Sequence, residues 1–312
     1  MKQDYPKQGI GNLCRLFGKS RHAYYDHQWR VQDQGLKDDI VLQHVLEIRK
    51  DLPRTGTTKL QEMLREPLWS HQIRTGRDYL YDLMREHHLD LRQRKRKAIT
   101  TDSRHWMHKY SNLIKEMEIN RPEQVWVSDI TYIRLINQWG YLSLVTDAYS
   151  HKIMGYSFRR DLCAQGCLDA LQMATNARLY PRQKLIHHSD RGCQYCSAAY
   201  VALLVENGIA ISMTENGDPY ENAIAERVNG IIKTEFNLHF SHESFTETTQ
   251  KIDRSIKAYN ELRLHASCNF LTPEKAHLTS GPLRKRWKDK VYKNRQVPAC
   301  ITSSVLPNIF VK

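Results

Sequence analysis

The sequence predicts a mixed α/β sheet flanked by helices, preceded by small all-α regions with helix-turn-helix spacing. Two contrasts carry that prediction. The first ninety or so residues hold short apolar-periodic stretches punctuated by glycines and capping residues, whereas from Val125 onward β-branched and aromatic runs alternate with amphipathic ones. Between the two parts, Arg92-Gln93-Arg94-Lys95-Arg96-Lys97 interrupts all periodicity and marks a boundary. A length of 312 residues, about twice that of a usual single domain, suits one core with smaller appendages.

In the N-terminal part, Asn12 is expected to cap a short helix over 13–17, Gly18 to break it, and Ser20 to cap a second helix through Arg21, His22, Ala23, Tyr24 and Tyr25. That helix-turn-helix-like spacing defines a first segment, 1–35. A second helical domain over 36–98 follows, whose basic side chains make it the expected DNA-binding part if the partner is nucleic acid. Its apolar-periodic positions are Ile40, Val41, Val45 and Ile48, then Leu60 and Leu64 after a turn at Gly56. Thr75 with Asp78 resembles a capping box for a helix over 77–88, whose apolar face is Leu80, Leu83 and Met84. The plain alternative for this part is a small bundle with no ligand.

A linker over 99–121 leads to a core over 122–280 and a basic tail over 281–312. Strands are expected over 125–135, 141–147 and 153–158, the first two joined by the turn signal Asn137-Gln138-Trp139-Gly140, which together suggest an antiparallel meander. Then come a helix over 165–179, a strand over 184–189, a helix over 197–207, a short strand over 209–213 and a longer helix over 220–237. Strand and helix alternating after a meander is what makes the sheet mixed.

Against 34 acidic residues stand 47 Lys and Arg, a formal net charge of +13, which favours a polyanionic partner and nucleic acid first. A ribosomal role, an anionic membrane surface or a solvated basic face fit the same balance. No apolar run approaches the roughly 20 residues needed to span a bilayer, and the start carries no signal-peptide pattern, so no membrane partner and a cytoplasmic location are expected. Seven scattered cysteines, an odd number, read as thiols rather than a disulfide framework.

Three carboxylates carry the chemistry. Asp129 interrupts the apolar strand Trp126-Val127-Ser128-Asp129-Ile130-Thr131-Tyr132, where a charge is costly unless paired, hydrogen-bonded or metal-bound. Asp190 ends the strand Leu185-Ile186-His187-His188-Ser189-Asp190, just before Gly192, and strand C-termini are common places to build sites. Glu226 shares a polar helix face with Asn222, Ala223, Asn229, Gly230 and Lys233, while Ile224, Val228, Ile231 and Ile232 should seek the core. A lone Asp near a strand end is more often a turn residue, and Asp147 is an example of that reading.

Thirty-five residues separate Asp190 from Glu226. With that spacing, the contexts Trp-Val-Ser-Asp129-Ile-Thr-Tyr, His-Ser-Asp190-Arg-Gly-Cys-Gln-Tyr and Asn-Ala-Ile-Ala-Glu226-Arg resemble the DD(35)E transposases related to retroviral integrases, and within them the OrfB type of insertion sequence. Tyr259-Asn260, Arg263 and Thr272-Pro273-Glu274 match a downstream stretch of the same type. The likeness covers 20–276 loosely and 125–236 closely.

The resemblance implies a ribonuclease-H-like core with Asp129 and Asp190 on adjacent strands and Glu226 on a nearby helix. It implies Mg²⁺ or Mn²⁺ as cofactor, two ions per active site, held by those hard oxygen donors for cleavage and strand transfer at the ends of the element. The partners would be the terminal inverted repeats and the target DNA. Joining two ends implies a homo-oligomer, at least a dimer. A DNA-binding regulator with an inactive integrase-like core and an RNA-cleaving nuclease of the same fold are the alternatives. The family commonly adds an upstream frame by frameshifting.

Secondary candidates follow. Asn229 and Lys233 share the Glu226 face and would meet terminal DNA, with a solvated helix end as the other reading. His188 falls on the Asp190 face and would support the site or be a satisfied core histidine. Arg77 and Arg85, with Arg94 and Arg96 in the basic run, are DNA-contact candidates, as are Arg21 and His22. Cys193-Gln194-Tyr195-Cys196 near His187 and His188 invites zinc, but the remaining ligands lack standard spacing. The family's Tyr-Gly-Tyr-Arg turn is here Arg54-Thr55-Gly56-Thr57-Thr58, and the zinc-binding N-terminus of viral integrases has no counterpart beyond Cys14.

Overall fold

Apolar periodicity in the first ninety residues builds four helices, α1 (Ile10–Leu16), α2 (Arg21–Asp51), α3 (Thr57–Ser70) and α4 (Arg77–Glu86). The computed structural model describes residues 6–91, 107–136, 138–215, 222–239 and 243–284. Val41, Leu42 and Val45 of α2 meet Leu60, Leu64 and Leu68 of α3 and Leu80, Leu83 and Met84 of α4 in one small core. Gly18 breaks the chain after α1 with φ +63°, a left-handed geometry that glycine adopts without a Cβ penalty. Ser20 then caps α2, its Oγ accepting from the Ala23 amide at 3.0 Å.

Three expectations in this part need correction. The N-cap of α1 is Gly9, not Asn12, whose side chain instead accepts from Arg15. The boundary expected at 35 falls inside α2, which runs unbroken for 31 residues; one glycine at position 35 costs a helix only about 1 kcal/mol and does not end it. The cap of α4 is Gly76, one residue later than a Thr75 capping box requires, and Asp78 pairs instead with the Arg77 guanidinium at 2.9 Å.

The core follows with β1 (Val125–Arg134), β2 (Trp139–Asp147), β3 (Ile153–Arg159), α5 (Ala164–Asn176), β4 (Ile186–Ser189), α6 (Ala198–Glu206), β5 (Ala210–Met213), α7 (Ala223–Glu235), α8 (Phe245–Glu261) and α9 (Pro273–His277). The strands lie in the order β3-β2-β1-β4-β5. β1–β2 and β2–β3 pair antiparallel, as the meander predicts, while β1–β4 and β4–β5 pair parallel. This mixed sheet with helices on both faces is the ribonuclease-H-like core.

Strand alternation sends Trp126 to one face, against Cys167, Ala170 and Leu171 of α5 and Tyr200 and Leu204 of α6. Ile133, Leu142 and Leu144 go to the other, against Val228, Ile231 and Ile232 of α7 and Ile252 and Ile256 of α8. α5 lies so close to β3 that a Cβ on Gly155 would stand 2.0 Å from the Ala170 carbonyl oxygen, so this position takes only glycine. Ile48, Leu52 and Met63 of the N-terminal part pack into the α7–α8 side of the core.

Residues 107–121, expected as linker, join the core. The Leu113 and Asn112 amides donate to Ser212 Oγ and Glu215 Oε1, and Met107 and Tyr110 pack on the α5–α6 cluster. Asp147 does hold a turn, accepting from the Ser150 amide and hydroxyl at 2.8 Å, and it also accepts from the Glu123 amide at 2.7 Å beside a buried His277. Among the described residues no helix is long and apolar enough to cross a membrane.

Candidate active site

The site begins with strand register. Ser128 of β1 pairs with Ser189 of β4, so the next positions, Asp129 and Asp190, emerge side by side from adjacent parallel strands and share one sheet face. Asp129 Oδ1 accepts from the Ile130 amide at 2.8 Å, and Asp190 Oδ1 accepts from the Gly192 amide at 3.0 Å. A Cβ on Gly192 would stand 3.0 Å from that Asp190 oxygen, so the small residue after the strand lets the chain fold back against its own carboxylate.

α7 covers the same face. Asn222, just before it, donates from Nδ2 to the Ser128 carbonyl at 3.2 Å, and Ala225 packs with Val125 and Val127. One turn further, Asn229 donates from Nδ2 to Asp129 Oδ2 at 2.8 Å. Glu226 sits in the exposed first turn of the same helix, and the half-buried Lys233 lies a turn beyond Asn229.

Burial, then the Asp190 carboxylate and lastly Glu226, push the Asp129 carboxyl up to about 7, against the hydrogen bonds from Asn229 and Ile130 that favour its charged form. Lys233 is lowered by burial, with Asp129 opposing the shift. Among the described residues no Lys or Arg makes a direct ion pair with Asp129, whose oxygens accept from the Ile130 and Asn229 amides while Lys233 acts on it from a distance. Two adjacent carboxylates offering hard oxygen donors fit a divalent cation such as Mg²⁺ or Mn²⁺. Among the described residues no three His, Cys, Asp or Glu side chains are grouped so as to hold a metal ion, while the Glu226 charge still acts on Asp129.

The other candidates separate. Asn229, expected to meet DNA, is 5% exposed and engaged with Asp129, which makes it a support of the carboxylate. His188, expected as support, is buried with Nδ1 2.8 Å from Ser212 Oγ on β5, so it links two strands. His187 Nε2 lies 2.8 Å from Ser128 Oγ and 2.9 Å from Tyr200 OH, and burial pushes it down to about 3, a neutral core histidine. Cys193 is exposed while Cys196 is buried against Met213, so the two thiols point to different surroundings. Arg77 and Arg85 lie on the exposed side of α4, each paired with a neighbouring aspartate, Asp78 and Asp82. Arg94, Arg96 and the basic stretch after Arg284 lie outside the described residues.

The downstream match proves structural. Asn260 accepts from the Ile153 amide and donates to its carbonyl, both at 3.0 Å, and Tyr259 OH donates to the His151 carbonyl at 2.9 Å. Thr272 caps α9, with Pro273 in its first turn. Sequence reasoning missed the part of Asn229 in holding Asp129; the i+3 spacing from Glu226 was its visible signal.

The mixed sheet, with Asp129 within β1, Asp190 just past the end of β4 and Glu226 on α7, belongs to the ribonuclease-H-like class. Integrase core domain models match residues 119–219 and 207–273. The chain is 32% identical over 271 residues to the uncharacterized 31 kDa protein of insertion element IS600 from Shigella sonnei, covering 84% of this chain and 96% of the relative. It is 30% identical over 278 residues to the transposase InsF for insertion sequence IS3A from Escherichia coli (strain K12), covering 85% and 92%. With the IS629 transposase of Shigella sonnei it shares 28% identity over 283 residues, 87% of this chain and 93% of the relative. The chain belongs to the OrfB-type insertion-sequence transposases of the IS3 family.

Membership makes it a DDE-type transposase and implies a divalent-metal site. Among solved structures, the HTLV-2 integrase catalytic core domain in complex with magnesium overlaps at TM-score 0.41 and 18% identity, covering 50% of this chain and 97% of that one. A simian T-cell lymphotropic virus intasome overlaps at TM-score 0.44 and 16% identity, covering 76% and 81%. Overlaps this low add no argument to the assignment, which rests on the sequence relatives.

Proposed function

We propose that this transposase cuts the terminal inverted repeats of its own insertion sequence and joins them to target DNA, with Asp129, Asp190 and Glu226 as the metal-holding carboxylates. The observation that carries the reading is the pairing of β1 with β4, which sets Asp129 beside Asp190, with Asp129 pushed up to about 7 by burial and that neighbour. Two Mg²⁺ or Mn²⁺ ions, when bound, supply charge stabilisation for the attacking and leaving oxygens of an in-line displacement.

The chain's own residues do the rest by positioning. Asn229 orients Asp129 and favours its charged form, and Asn222 pins the start of α7 over β1. Glu226 is exposed on the first turn of α7, the side from which DNA would reach the two aspartates. Lys233, on the same face, is the phosphate contact, and Arg77 and Arg85, with Arg94 and Arg96, bind the repeats through the N-terminal helical part. Phosphodiester transfer in this form needs no nucleophilic side chain and no covalent enzyme intermediate. Holding two ends for joining calls for at least a dimer on DNA.

The test uses the full chain with duplexes carrying the element's ends, in Mg²⁺ or Mn²⁺. Cleavage at the 3′ ends and transfer into a second duplex are expected, and Asp129→Asn, Asp190→Asn and Glu226→Gln should each bind ends yet lose chemistry. Folded protein that binds ends without cutting them in either metal would sink the enzyme reading in favour of a regulator; a preference for RNA–DNA hybrids would favour a nuclease.

A further inference from the structure

At the far end of α7 from Glu226, a charged cluster joins the N-terminal helices to the core. Glu235, the last residue of α7, receives a two-pronged contact from Arg263, with Nε and Nη2 each 2.8 Å from a carboxylate oxygen. Lys59, in the first turn of α3, reaches the same carboxylate with Nζ 3.2 and 3.3 Å from its two oxygens. The side chains are largely enclosed, Arg263 at 3%, Lys59 at 19% and Glu235 at 21% exposure. Around them Ile48, Leu52 and Met63 pack with Ile231, Ile232 and Phe236.

We propose that Lys59 and Arg263 are positioning residues which, by fixing Glu235 against the N-terminal helices, set where α7 presents Glu226, Asn229 and Lys233 to the aspartates. This rests on the reading of Glu226 as the third carboxylate. α7 is 13 residues long and rigid over about 20 Å, so a shift at its last turn is carried to its first. Asn229 extends the linkage to Asp129, which makes one connected path from α3 through α7 to β1.

Charge bookkeeping supports a geometric role. One carboxylate faces Lys59 and Arg263, with the Arg227 cation also acting on Lys59, and Lys59 is pushed down to about 8, first by burial and then by Arg263. Enclosed ion pairs of this kind stabilise little compared with apolar residues of the same volume, whereas their directional contacts fix one arrangement. Glu226 is carried on the first turn of α7, so its placement against the aspartates depends on what holds that helix.

The test compares full-length Lys59→Met and Lys59→Gln, which drop the charge, with Lys59→Arg, which keeps it, and with Glu226→Gln. Readouts are single-turnover cleavage of an end duplex, end affinity and thermal unfolding. Because the Glu235–Arg263 contact survives, both neutral variants should fold and bind ends as the parent does, yet cleave about ten- to a hundredfold more slowly. Lys59→Arg should recover cleavage to within about threefold of the parent. Cleavage by both neutral variants within about twofold of the parent, equal losses in Lys59→Arg and Lys59→Met, or a rate loss matched by lost end affinity would overturn the proposal. An active Glu226→Gln would instead overturn the assignment of the third carboxylate.

Discussion

Replacing Asp129 by asparagine should stabilise the metal-free protein while abolishing its chemistry. In the fold the Asp129 carboxyl titrates at about 7 against an ordinary value of 3.8, so the folded state binds a proton that the unfolded chain has released across that window. A raised carboxyl of this kind works against the fold as pH climbs: the parent loses stability from about pH 4 to 7, and the loss is complete above 7. Three pKa units at about 1.4 kcal/mol each set an upper bound of about 4 kcal/mol, and relaxation around a half-buried group brings the expected gain to about 2–4 kcal/mol. Asparagine removes the charge, keeps its one oxygen for the Ile130 amide and can donate its amide to the Asn229 oxygen once that side chain flips. The assay is urea unfolding of both proteins in EDTA at pH 5 and pH 8. Asp129→Asn should exceed the parent by the full amount at pH 8 and by less than half of it at pH 5, and saturating Mn²⁺ should raise the parent but not the variant. A variant less stable than the parent at pH 8, or a gap that does not change with pH, would refute the electrostatic account of this site.

Asn229→Ala removes the amide that favours charged Asp129, so the metal concentration giving half-maximal cleavage should rise about ten- to a hundredfold with end binding intact; an unchanged midpoint would return Asn229 to a mere packing role. Gly155→Ala drives a Cβ into the Ala170 carbonyl and the Ala174 amide, and should cost about 3 kcal/mol or more, read as a lowered urea midpoint or loss of folded protein. Asn260→Ala forfeits both contacts to the Ile153 backbone and should cost about 1–3 kcal/mol in the same assay, with cleavage by the folded fraction unchanged.

The strands, the meander and the two aspartates were legible because a period of two and an isolated charge in an apolar strand leave a local signature. Asp129 and Asp190 needed only one further fact, the register that pairs Ser128 with Ser189. Long-range partnerships leave no such trace. Lys59 and Glu235 meet across 176 positions, and Asn229 reaches Asp129 across 100, so neither contact has a sequence period to announce it. His188 illustrates the converse: alternation placed it on the Asp190 face, but β5 supplies Ser212 as a hydrogen-bond partner that no sequence period announces. The segment boundary expected at 35 falls inside a helix, because α2 runs unbroken from Arg21 to Asp51 and carries the chain from the first segment into the second.

The most direct measurement is anomalous scattering from crystals of the full chain grown with an end duplex and Mn²⁺. The account predicts manganese at Asp129 and Asp190, with Glu226 brought in to complete the ligand set and the scissile phosphate against it. Manganese bound elsewhere, or a DNA-bound site in which Glu226 does not ligate the metal, would contradict it.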